Sequence, residues 1–323
     1  KLLAMAEKRV LVTGGTGLVG KGIEWQVENK NPLCEGVKFI FLSSKDADLR
    51  DLASTKACFE KHKPTHVIHL AARVGGLFKN MRSKVEMMTE NININQNVLQ
   101  CAHEQGVKRC VSMTSTCVFP DKIEYPIKED SIHDGPPHAS NEGYAYAKRM
   151  VEVLSRAYNS QHGHEYITVI PTNVFGPHDN YSIEDGHVAP GLMHKCKLAM
   201  AKGENLTVWG SGKPLRQFIF SRDLADCVIW ATLKYEGQES LMLSPDESGE
   251  ISIATLATTI AKCMDFPMDK LVFDTTKADG QFKKTVSNER LKKLRPGFQF
   301  TPFEEAMKVS TDWFVANYDS CRK

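Results

Sequence analysis

The amino-acid sequence predicts an α/β fold with a doubly wound parallel sheet and a smaller, interleaved C-terminal α/β lobe. Apolar, β-branched runs alternate with segments of helical spacing at the intervals of βαβ units. The run at residues 37–44 (VKFIFLSS) is apolar without alternation, as expected for a strand buried on both faces of a parallel sheet. A glycine-rich turn lies between the first run and the first helical segment. These observations indicate a sheet that is covered by helices on both sides.

The predicted elements are regular in the first half of the chain and looser after about Pro177. In the first half we predict strands at residues 9–13, 37–44, 66–72, 109–115 and 165–174, and helices at 18–30, 54–63, 85–105 and 142–161. In the second half we predict short strands at 206–209, 217–220, 241–244 and 271–274, and helices at 223–235, 252–265 and 303–318. Ligands of such sheets bind at the carboxyl ends of the strands, where the strand order reverses, so functional residues are expected there.

Composition and charge narrow the class of protein. Of 323 residues, 41% are hydrophobic and 25% are charged, which is ordinary for a globular protein and argues against disorder. A formal net charge of +2 is too small to indicate a nucleic-acid partner. The nine cysteines include no Cys-x-x-Cys pair, which argues against a metal site and for a reducing, cytoplasmic environment. No apolar run reaches the ~18–20 residues of a membrane span, and the short, charged opening KLLAMAEK is left out of the fold argument.

Residues 13–20 (TGGTGLVG) carry the pattern of a dinucleotide-binding turn in a Rossmann sheet. The first glycine of the pattern permits the tight turn, the second lets the backbone approach a pyrophosphate, and the third lets the helix pack closely on the strand. The amides and the dipole at the helix N-terminus then favour phosphate. The predicted cofactor contacts of this turn are Gly14, Gly15, Thr16, Gly17, Leu18, Val19 and Gly20.

The end of the second predicted strand favours NADP(H) over NAD(H). An NAD site has an Asp or Glu at this position to bind the ribose 2′-hydroxyl, whereas a basic residue suits a 2′-phosphate. Here the strand ends in LSSK (residues 42–45), and no acid precedes Asp46. We therefore predict that Lys45 binds the phosphate and that Asp48 and Leu49 reach the adenine. The alternative is that Lys45 is a solvated loop residue.

Tyr144 and Lys148 form a Tyr-x-x-x-Lys pair on a predicted helix, so both side chains share one face. An ammonium group beside a phenol lowers the phenol pKa, which lets the tyrosine exchange a proton with a substrate oxygen near neutral pH. Tyr146 has no lysine four residues later, because position 150 is methionine. With Ser115 upstream, the sequence therefore predicts a hydride-transfer site that uses Tyr144.

The chain resembles the extended short-chain dehydrogenases/reductases, a group that acts mainly on nucleotide sugars. The matching elements are TGGTGLVG, HLAA at 69–72, Ser115, Tyr144 with Lys148, and PTNVFGPHDN at 171–180. The resemblance implies further cofactor contacts from Leu70, Ala71, Ala72, Lys148, Pro171, Thr172, Asn173 and Val174. We accordingly expect an NADP-binding domain at residues 8–176, with contributions from about 216–236, and a mainly substrate-binding lobe at 177–323.

Cys117 lies two residues after Ser115, and on a strand these two side chains would point to the same face. With VGGLFKN (74–80), GPHDN (176–180) and GHV (186–188), this cysteine resembles that of the bifunctional 3,5-epimerase-4-reductases of GDP-4-keto-6-deoxy-D-mannose within the same group. The resemblance implies that Cys117 and His187 are an acid–base pair and that His187 also contacts the cofactor. The alternative for Cys117 is a small buried core residue. The other histidines considered are His69, His178 and His194, with structural roles as the alternative.

The implied reaction needs two such groups. In a 4-keto sugar the hydrogens on C3 and C5 lie α to the carbonyl, so removal of either proton leaves an enolate. Inversion requires a base on one face of the ring and an acid on the other, and a thiol and an imidazole can hold these states near neutral pH. We expect Tyr144 to stabilise the enolate and later protonate its oxygen, Ser115 to position that oxygen, and Lys148 to hold the nicotinamide ribose. Epimerisation must come first, because reduction removes the ketone.

The resemblance also implies contacts to a GDP-sugar substrate and a homodimer. The implied substrate residues are Lys195, Trp209, Arg216 and Asp279. Cations suit a pyrophosphate, and an indole can cover a flat base or sugar face. Lys283 and Lys284 are interpreted as solvated charges, and the alternative is that they add positive potential near the cofactor or substrate. The helices near 85–105 and 143–160 are expected to form a four-helix interface between two copies.

The residues leave two other functions open. One is an enzyme of the same group that only epimerises or only reduces. The other is a non-catalytic NADP-binding sensor, which the presence of Ser115, Tyr144 and Lys148 disfavours.

Overall fold

The structure, a computed structural model, describes residues 7–277, 279 and 281–323, except for the side chains of Leu77 and Phe78. Most of the opening segment KLLAMAEK therefore lies outside the described residues. In the part that is described, a parallel sheet with helices on both faces is joined to a smaller lobe with its own core.

The strands of the chain are short, and most of those in the first half belong to one sheet. Their bounds are β1 (Lys8–Thr13), β2 (Val37–Phe41), β3 (His66–His69), β4 (Arg109–Met113), β5 (Glu165–Pro171), β6 (Asn173–Phe175), β7 (Leu206–Trp209), β8 (Leu215–Arg216), β9 (Phe218–Phe220), β10 (Leu241–Leu243), β11 (Ile251–Ser252) and β12 (Leu271–Asp274). The main sheet has six parallel strands in the order β2-β1-β3-β4-β5-β10. The chain passes from β1 to β2 on one side and then to β3 on the other, so the strand order reverses at β1. The predicted doubly wound sheet is confirmed.

Helices cover both faces of this sheet. Their bounds are α1 (Leu18–Glu28), α2 (Leu52–His62), α3 (Leu77–Arg82), α4 (Lys84–Glu104), α5 (Glu142–His162), α6 (Val188–Lys202), α7 (Ser221–Leu233), α8 (Ile253–Cys263), α9 (Glu289–Leu294) and α10 (Phe303–Ala316). Val10 and Val12 of β1 belong to the core that includes α1 and α7. Leu11, between them, belongs to the core on the opposite face, with residues of α2 and α4. Both faces of the strand are thus buried, which explains why its sequence does not alternate.

One predicted strand, at residues 165–174, is divided in two. β5 ends at Pro171, which has no amide hydrogen to donate. The amide of Asn173 then donates to the carbonyl of Gln217 at 3.2 Å, and β6 pairs with β9 outside the main sheet. This change of partner carries the chain into the C-terminal lobe.

The C-terminal lobe packs α6, α8 and α10 around a separate hydrophobic core. It contains the strand pairs β7 with β12 and β8 with β11.

The sequence analysis missed α3, α6 and α9. Two of these helices have only six residues, and α6 contains Pro190 and Gly191 in its first turn, which weaken a helical pattern. Strand β10, which follows α7, returns to the main sheet. The predicted boundary between residues 176 and 177 stays a prediction.

Candidate active site

A cleft of about 750 Å³ opens at the carboxyl ends of the strands, where the strand order reverses. Its walls come from the glycine-rich turn, the segments after β2, β3 and β4, helix α5, and the loops on either side of β6. Most of the predicted cofactor residues line it: Gly14, Thr16, Gly17, Leu18, Val19, Gly20, Asp48, Leu49, Leu70, Ala71, Ala72, Lys148, Pro171, Thr172, Asn173, Val174 and His187. Gly15 and Lys45 are not part of this wall. Gly15 instead packs against Phe41 and Leu42 at the end of β2.

The glycine-rich turn has the shape that a dinucleotide needs. Gly14 has a φ of +67°, and a Cβ there would lie 2.9 Å from the amide nitrogen of Ala71. A Cβ at Gly20 would lie 2.4 Å from the carbonyl oxygen of Gly15, so α1 reaches the turn only because that side chain is absent. The first turn of α1 contains no acidic residue, which leaves the positive end of its dipole open to a phosphate. These residues fit a bound dinucleotide.

The end of β2 presents no free acid to a ribose. The amide and hydroxyl of Ser43 donate to Oδ2 of Asp46 at 2.7 and 2.6 Å, which lowers the pKa of that carboxyl. Lys45 is exposed. Arg50, which the sequence analysis missed, lines the cleft and lies 2.9 Å from Asp48. Its signal in the sequence was a basic residue directly after the predicted adenine contacts.

Tyr144 and Lys148 both line the cleft from α5, whereas Tyr146 does not. Lys148 is buried, its ammonium donates to the carbonyl of Met113 at 2.8 Å, and burial lowers its pKa to about 8. The ammonium lies 5.8 Å from the centre of the Tyr144 ring. Burial raises the pKa of Tyr144, and the charge of Cys117 adds to this effect. The expectation that Lys148 lowers the phenol pKa is wrong here, because its ammonium is directed at Met113.

Ser115 and Cys117 do not lie on a strand, so the argument from alternating side chains is wrong. β4 ends at Met113, and Thr116–Val118 forms a turn of 3₁₀ helix that Ser115 caps. The amide of Cys117 donates to the hydroxyl of Ser115 at 3.4 Å, which keeps the two residues together. Ser115 lines the cleft, whereas Cys117, which is half-buried next to it, is not part of the cleft wall. Burial raises the pKa of the thiol, while the ammonium of Lys284 acts in the opposite direction.

His187 is the N-cap residue of α6, and its side chain is open to the cleft. The protein atoms packed around the ring lower the pKa of its imidazole, and the guanidinium of Arg322 lowers it further. Arg322 itself lines the cleft. The sequence analysis missed this residue, because nothing in the sequence indicates that the last residues of the chain return to the site.

The other three histidines that were considered do not line the cleft. The ring nitrogens of His69 are 2.8 Å from the hydroxyl of Thr13 and 3.0 Å from the amide oxygen of Asn95. Nδ1 of His194 lies 2.7 Å from a backbone carbonyl oxygen. His178 is exposed and does not line the cleft.

The four predicted substrate residues lie on the C-terminal lobe and do not line this cleft. The ammonium of Lys195 is 3.4 Å from the centre of the Trp209 ring, and 48% of Trp209 is exposed. Asp279 accepts hydrogen bonds of 2.8 and 2.6 Å from the amide and hydroxyl of Ser211, which ties it to the turn after Trp209. Arg216 donates at 2.7 Å to a backbone carbonyl of the segment after β12.

Lys284 is not the solvated charge that was predicted. It is only partly exposed, and burial lowers the pKa of its ammonium. Backbone hydrogen bonds of 2.9 Å attach the segment that carries it to Leu215 and Ile127. The ammonium consequently lies within electrostatic reach of both Cys117 and Arg216.

Other kinds of site were also considered. Among the described residues, no group of three His, Cys, Asp or Glu side chains could hold a metal ion. No helix within residues 7–277 and 281–323 is long and apolar enough to cross a membrane. All nine cysteines are free thiols.

Comparison with known proteins assigns the chain to a family. A family model for the NAD dependent epimerase/dehydratase family matches residues 10–242, and the chain belongs to that family. It is 57% identical over 318 residues to the GDP-L-fucose synthase of Dictyostelium discoideum, across 98% of both chains. It is 50% identical over 323 residues to the probable GDP-L-fucose synthase of Drosophila melanogaster, across 98% of this chain and 100% of the relative.

A solved structure agrees with these relatives. The crystal structure of a GDP-L-fucose synthetase from Naegleria fowleri bound to NADP is 52% identical and superposes with a TM-score of 0.93. The match covers 99% of this chain and 96% of the other. The resemblance to bifunctional GDP-sugar epimerase-reductases is confirmed.

Proposed function

We propose that this protein is a GDP-L-fucose synthase, which inverts C3 and C5 of GDP-4-keto-6-deoxy-D-mannose and then reduces C4. Proteins of that name are similar to the chain over nearly its whole length. One observation carries the proposal: the imidazole of His187 lines the same dinucleotide cleft as Ser115, Tyr144 and Lys148, and the thiol residue Cys117 is hydrogen-bonded to Ser115 through its amide. A simple dehydrogenase has no use for the thiol and the imidazole.

NADP(H) is the cofactor, and when bound it supplies the hydride that reduces C4. The glycine-rich turn and the N-terminus of α1 suit its pyrophosphate. The hydroxyl group of Ser44 and the guanidinium of Arg50 suit a 2′-phosphate at the end of β2. The contact predicted for Lys45 stays a prediction.

Tyr144 and Ser115 act on the C4 oxygen. Because burial raises the pKa of Tyr144, its phenol keeps its proton and can donate a hydrogen bond to that oxygen. This hydrogen bond stabilises the negative charge that develops when C3 or C5 loses a proton. During reduction Tyr144 transfers the proton to the oxygen, while Lys148 positions the ribose beside it.

Cys117 and His187 move the carbon-bound protons. One group takes a proton from one face of the ring, and the other returns a proton to the opposite face. Burial raises the pKa of the thiol and lowers that of the imidazole, and Lys284 opposes the shift at the thiol; we assign Cys117 as the base and His187 as the acid. Each inversion breaks one C–H bond and forms another, and it leaves Cys117 protonated and His187 neutral.

The GDP part of the substrate is assigned to the C-terminal lobe. The exposed face of Trp209 suits a base or sugar ring, and Lys195 and Arg216 are cations for the diphosphate. Asp279 already uses both carboxylate oxygens on Ser211. Its contribution is therefore to hold the turn that follows Trp209.

A homodimer formed by α4 and α5 is part of the proposal. These helices expose Val85, Met88 and Met150, which have 70%, 38% and 48% of their surface accessible. Apolar side chains with this exposure favour burial against a second copy. Light scattering should find a dimer for the wild type and a monomer after the double change Val85→Glu and Met150→Glu.

Nine free cysteines favour a reducing, cytoplasmic location.

Exchange in D2O tests the function. With substrate and NADP⁺, the proposed enzyme should place deuterium at both C3 and C5. With substrate and NADPH, it should also oxidise one NADPH for each product molecule. Exchange without NADPH oxidation, or oxidation without exchange, would identify an enzyme with a single activity. A sensor would show neither reaction.

A further inference from the structure

A buried carboxyl group in the cleft has no part in the mechanism described so far. Asp179 lies between β6 and α6, is 3% exposed, and lines the same cleft as His187. Its Oδ1 accepts a 2.6 Å hydrogen bond from the amide of Asn180, while Oδ2 has no hydrogen-bond partner in the described part of the chain. Burial raises the pKa of this carboxyl to about 7, so it can both hold and release a proton near neutral pH.

The other acids of the described cleft wall are already paired with cations. Asp48 lies 2.9 Å from Arg50, Glu90 lies 2.5 Å from Arg73, and Asp185 lies 2.9 Å from Arg82. Asp179 has no such ion pair with any described residue. It is therefore the acid of this wall that no cation of an ion pair holds in its carboxylate form.

The backbone brings Asp179 and His187 to the two ends of one closed loop. A Cβ on Gly186 would lie 2.5 Å from the carbonyl oxygen of Asn180, so the residues next to Asp179 and His187 touch each other. The guanidinium of Arg322 acts on both side chains, lowering the pKa of each. The carboxyl of Asp179 also raises the pKa of the phenol of Tyr181, so these two groups lie within electrostatic reach of each other.

Two inversions during one binding event require the acid–base pair to be reset. In the chair form of a mannose ring, the hydrogens on C3 and C5 are both axial and on the same face. The same group must therefore act as the base at both carbons. After the first inversion, however, the base already holds a proton and the acid has lost its own. The second carbon can be inverted only after the acid regains a proton and the base releases one.

We propose that Asp179 is a positioning residue that returns a proton to His187 between the two inversions, an inference that rests on the function proposed above. The carboxyl O–H bond breaks, an N–H bond forms on the neutral imidazole, and the products are a carboxylate and an imidazolium. A proton from solvent then restores the carboxyl group. Cys117 releases to solvent the proton that it took from carbon, so one proton enters and one leaves.

Single-turnover exchange in D2O with enzyme in excess, substrate and NADP⁺ tests this role. The Asp179→Asn variant keeps the shape of the side chain but has no carboxyl proton. It should incorporate the first deuteron at the wild-type rate and the second at least tenfold more slowly, with an unchanged KM. Asp185→Asn is the matched control, because Asp185 lies on the same loop but is paired with Arg82. In this control variant both deuterons should be incorporated at the wild-type rates.

Chemical rescue distinguishes proton transfer from a structural role. In Asp179→Ala, added formate should restore the rate of the second deuteron, whereas chloride at equal ionic strength should not. Equal rates for both deuterons in Asp179→Asn, or failure of formate to rescue Asp179→Ala, would overturn the proposal. If the wild type itself exchanges at neither carbon or at only one, the proposed function fails instead.

Discussion

The ammonium group of Lys148 lies 2.8 Å from the carbonyl oxygen of Met113, the last residue of β4, and is not hydrogen-bonded to the phenol of Tyr144. A buried ammonium with one protein acceptor has lost most of its hydration, which lowers its pKa to about 8. The same arrangement leaves donors of this group free for the hydroxyl groups of a ribose. The buried ammonium of Lys148 thus destabilises the ligand-free protein, and hydrogen bonds to a bound ligand can offset this effect.

The stability of the cofactor-free protein should increase as the pH rises from 8 to 10.5. In this window the unfolded chain binds a proton at Lys148 that the folded protein has released, so the free energy of unfolding rises with pH. The increase is at most roughly 3 kcal/mol, at ~1.4 kcal/mol per pH unit. Urea unfolding of the wild type and of Lys148→Met, at pH 7.5 and at pH 10, measures it as a difference. If the wild type is less stable relative to Lys148→Met at pH 10 than at pH 7.5, the prediction is wrong.

Replacing Cys117 by serine should separate the two activities. The hydroxyl group is a far weaker base than a thiolate, so deuterium exchange at C3 and C5 should fall by about 10²–10⁴-fold. Direct reduction should persist, because Ser115, Tyr144 and Lys148 are intact. The measurement is NMR of the product formed with NADPH in D2O, which should show reduction at C4 without inversion. Inversion of both carbons at the wild-type rate would remove the thiol from the mechanism.

The fold was predictable because its strands are buried on both faces. Continuous apolar runs, helical spacing and the turn at residues 13–20 are local patterns, and they were enough to predict a doubly wound sheet. The division at Pro171 was not predictable in this way. It depends on a change of strand partner from the main sheet to β9, which only the folded chain defines.

The site residues that belong to a local motif were predictable from the sequence. The charged residues that distant segments contribute were not. Cys117 was chosen from the family resemblance together with its spacing to Ser115, although the assumed strand is a 3₁₀ turn. Lys284 and Arg322 come from segments far along the chain, and no local pattern relates them to the cleft. Their positions depend on tertiary packing, as does the unpaired oxygen of Asp179.

Lys284→Met should make the thiol of Cys117 harder to ionise. The ammonium favours the thiolate, so removing it should shift the pH dependence of thiol alkylation to higher pH. Lys283→Met is the control, because the neighbouring ammonium lies 5.6 Å from the Tyr125 ring and is not among the groups that shift the pKa of the thiol. The rate of iodoacetamide reaction, read by mass spectrometry of the Cys117 peptide, measures the shift. Identical profiles for the two variants would show that Lys284 does not act on the thiol.

Gly14→Ala should weaken NADPH binding and destabilise the protein more than Gly36→Ala does. Both glycines have positive φ, at +67° and +69°, so alanine strains the backbone equally, by ~1 kcal/mol. At Gly14 a methyl group would also lie 2.9 Å from the amide nitrogen of Ala71, whereas nothing lies within 4 Å at Gly36. Thermal unfolding and NADPH fluorescence titration measure the two effects. Equal losses in the two variants would mean that close packing of the turn contributes nothing.

Trp209→Ala should raise the KM for the GDP-sugar and leave the binding of NADPH intact. The indole is 48% exposed and carries the Lys195 ammonium 3.4 Å from its centre, so one face is covered by a cation while part of the ring remains free to stack. Stacking of a base on an aromatic ring contributes ~1–3 kcal/mol, which corresponds to an increase in KM of about 5- to 150-fold. Trp25→Ala is the matched control: its ring pairs with the Arg222 guanidinium at 4.1 Å, but on α1, away from the C-terminal lobe. Steady-state kinetics with the sugar nucleotide as the varied substrate measures both variants, and a KM raised equally in both would assign the effect to lost packing.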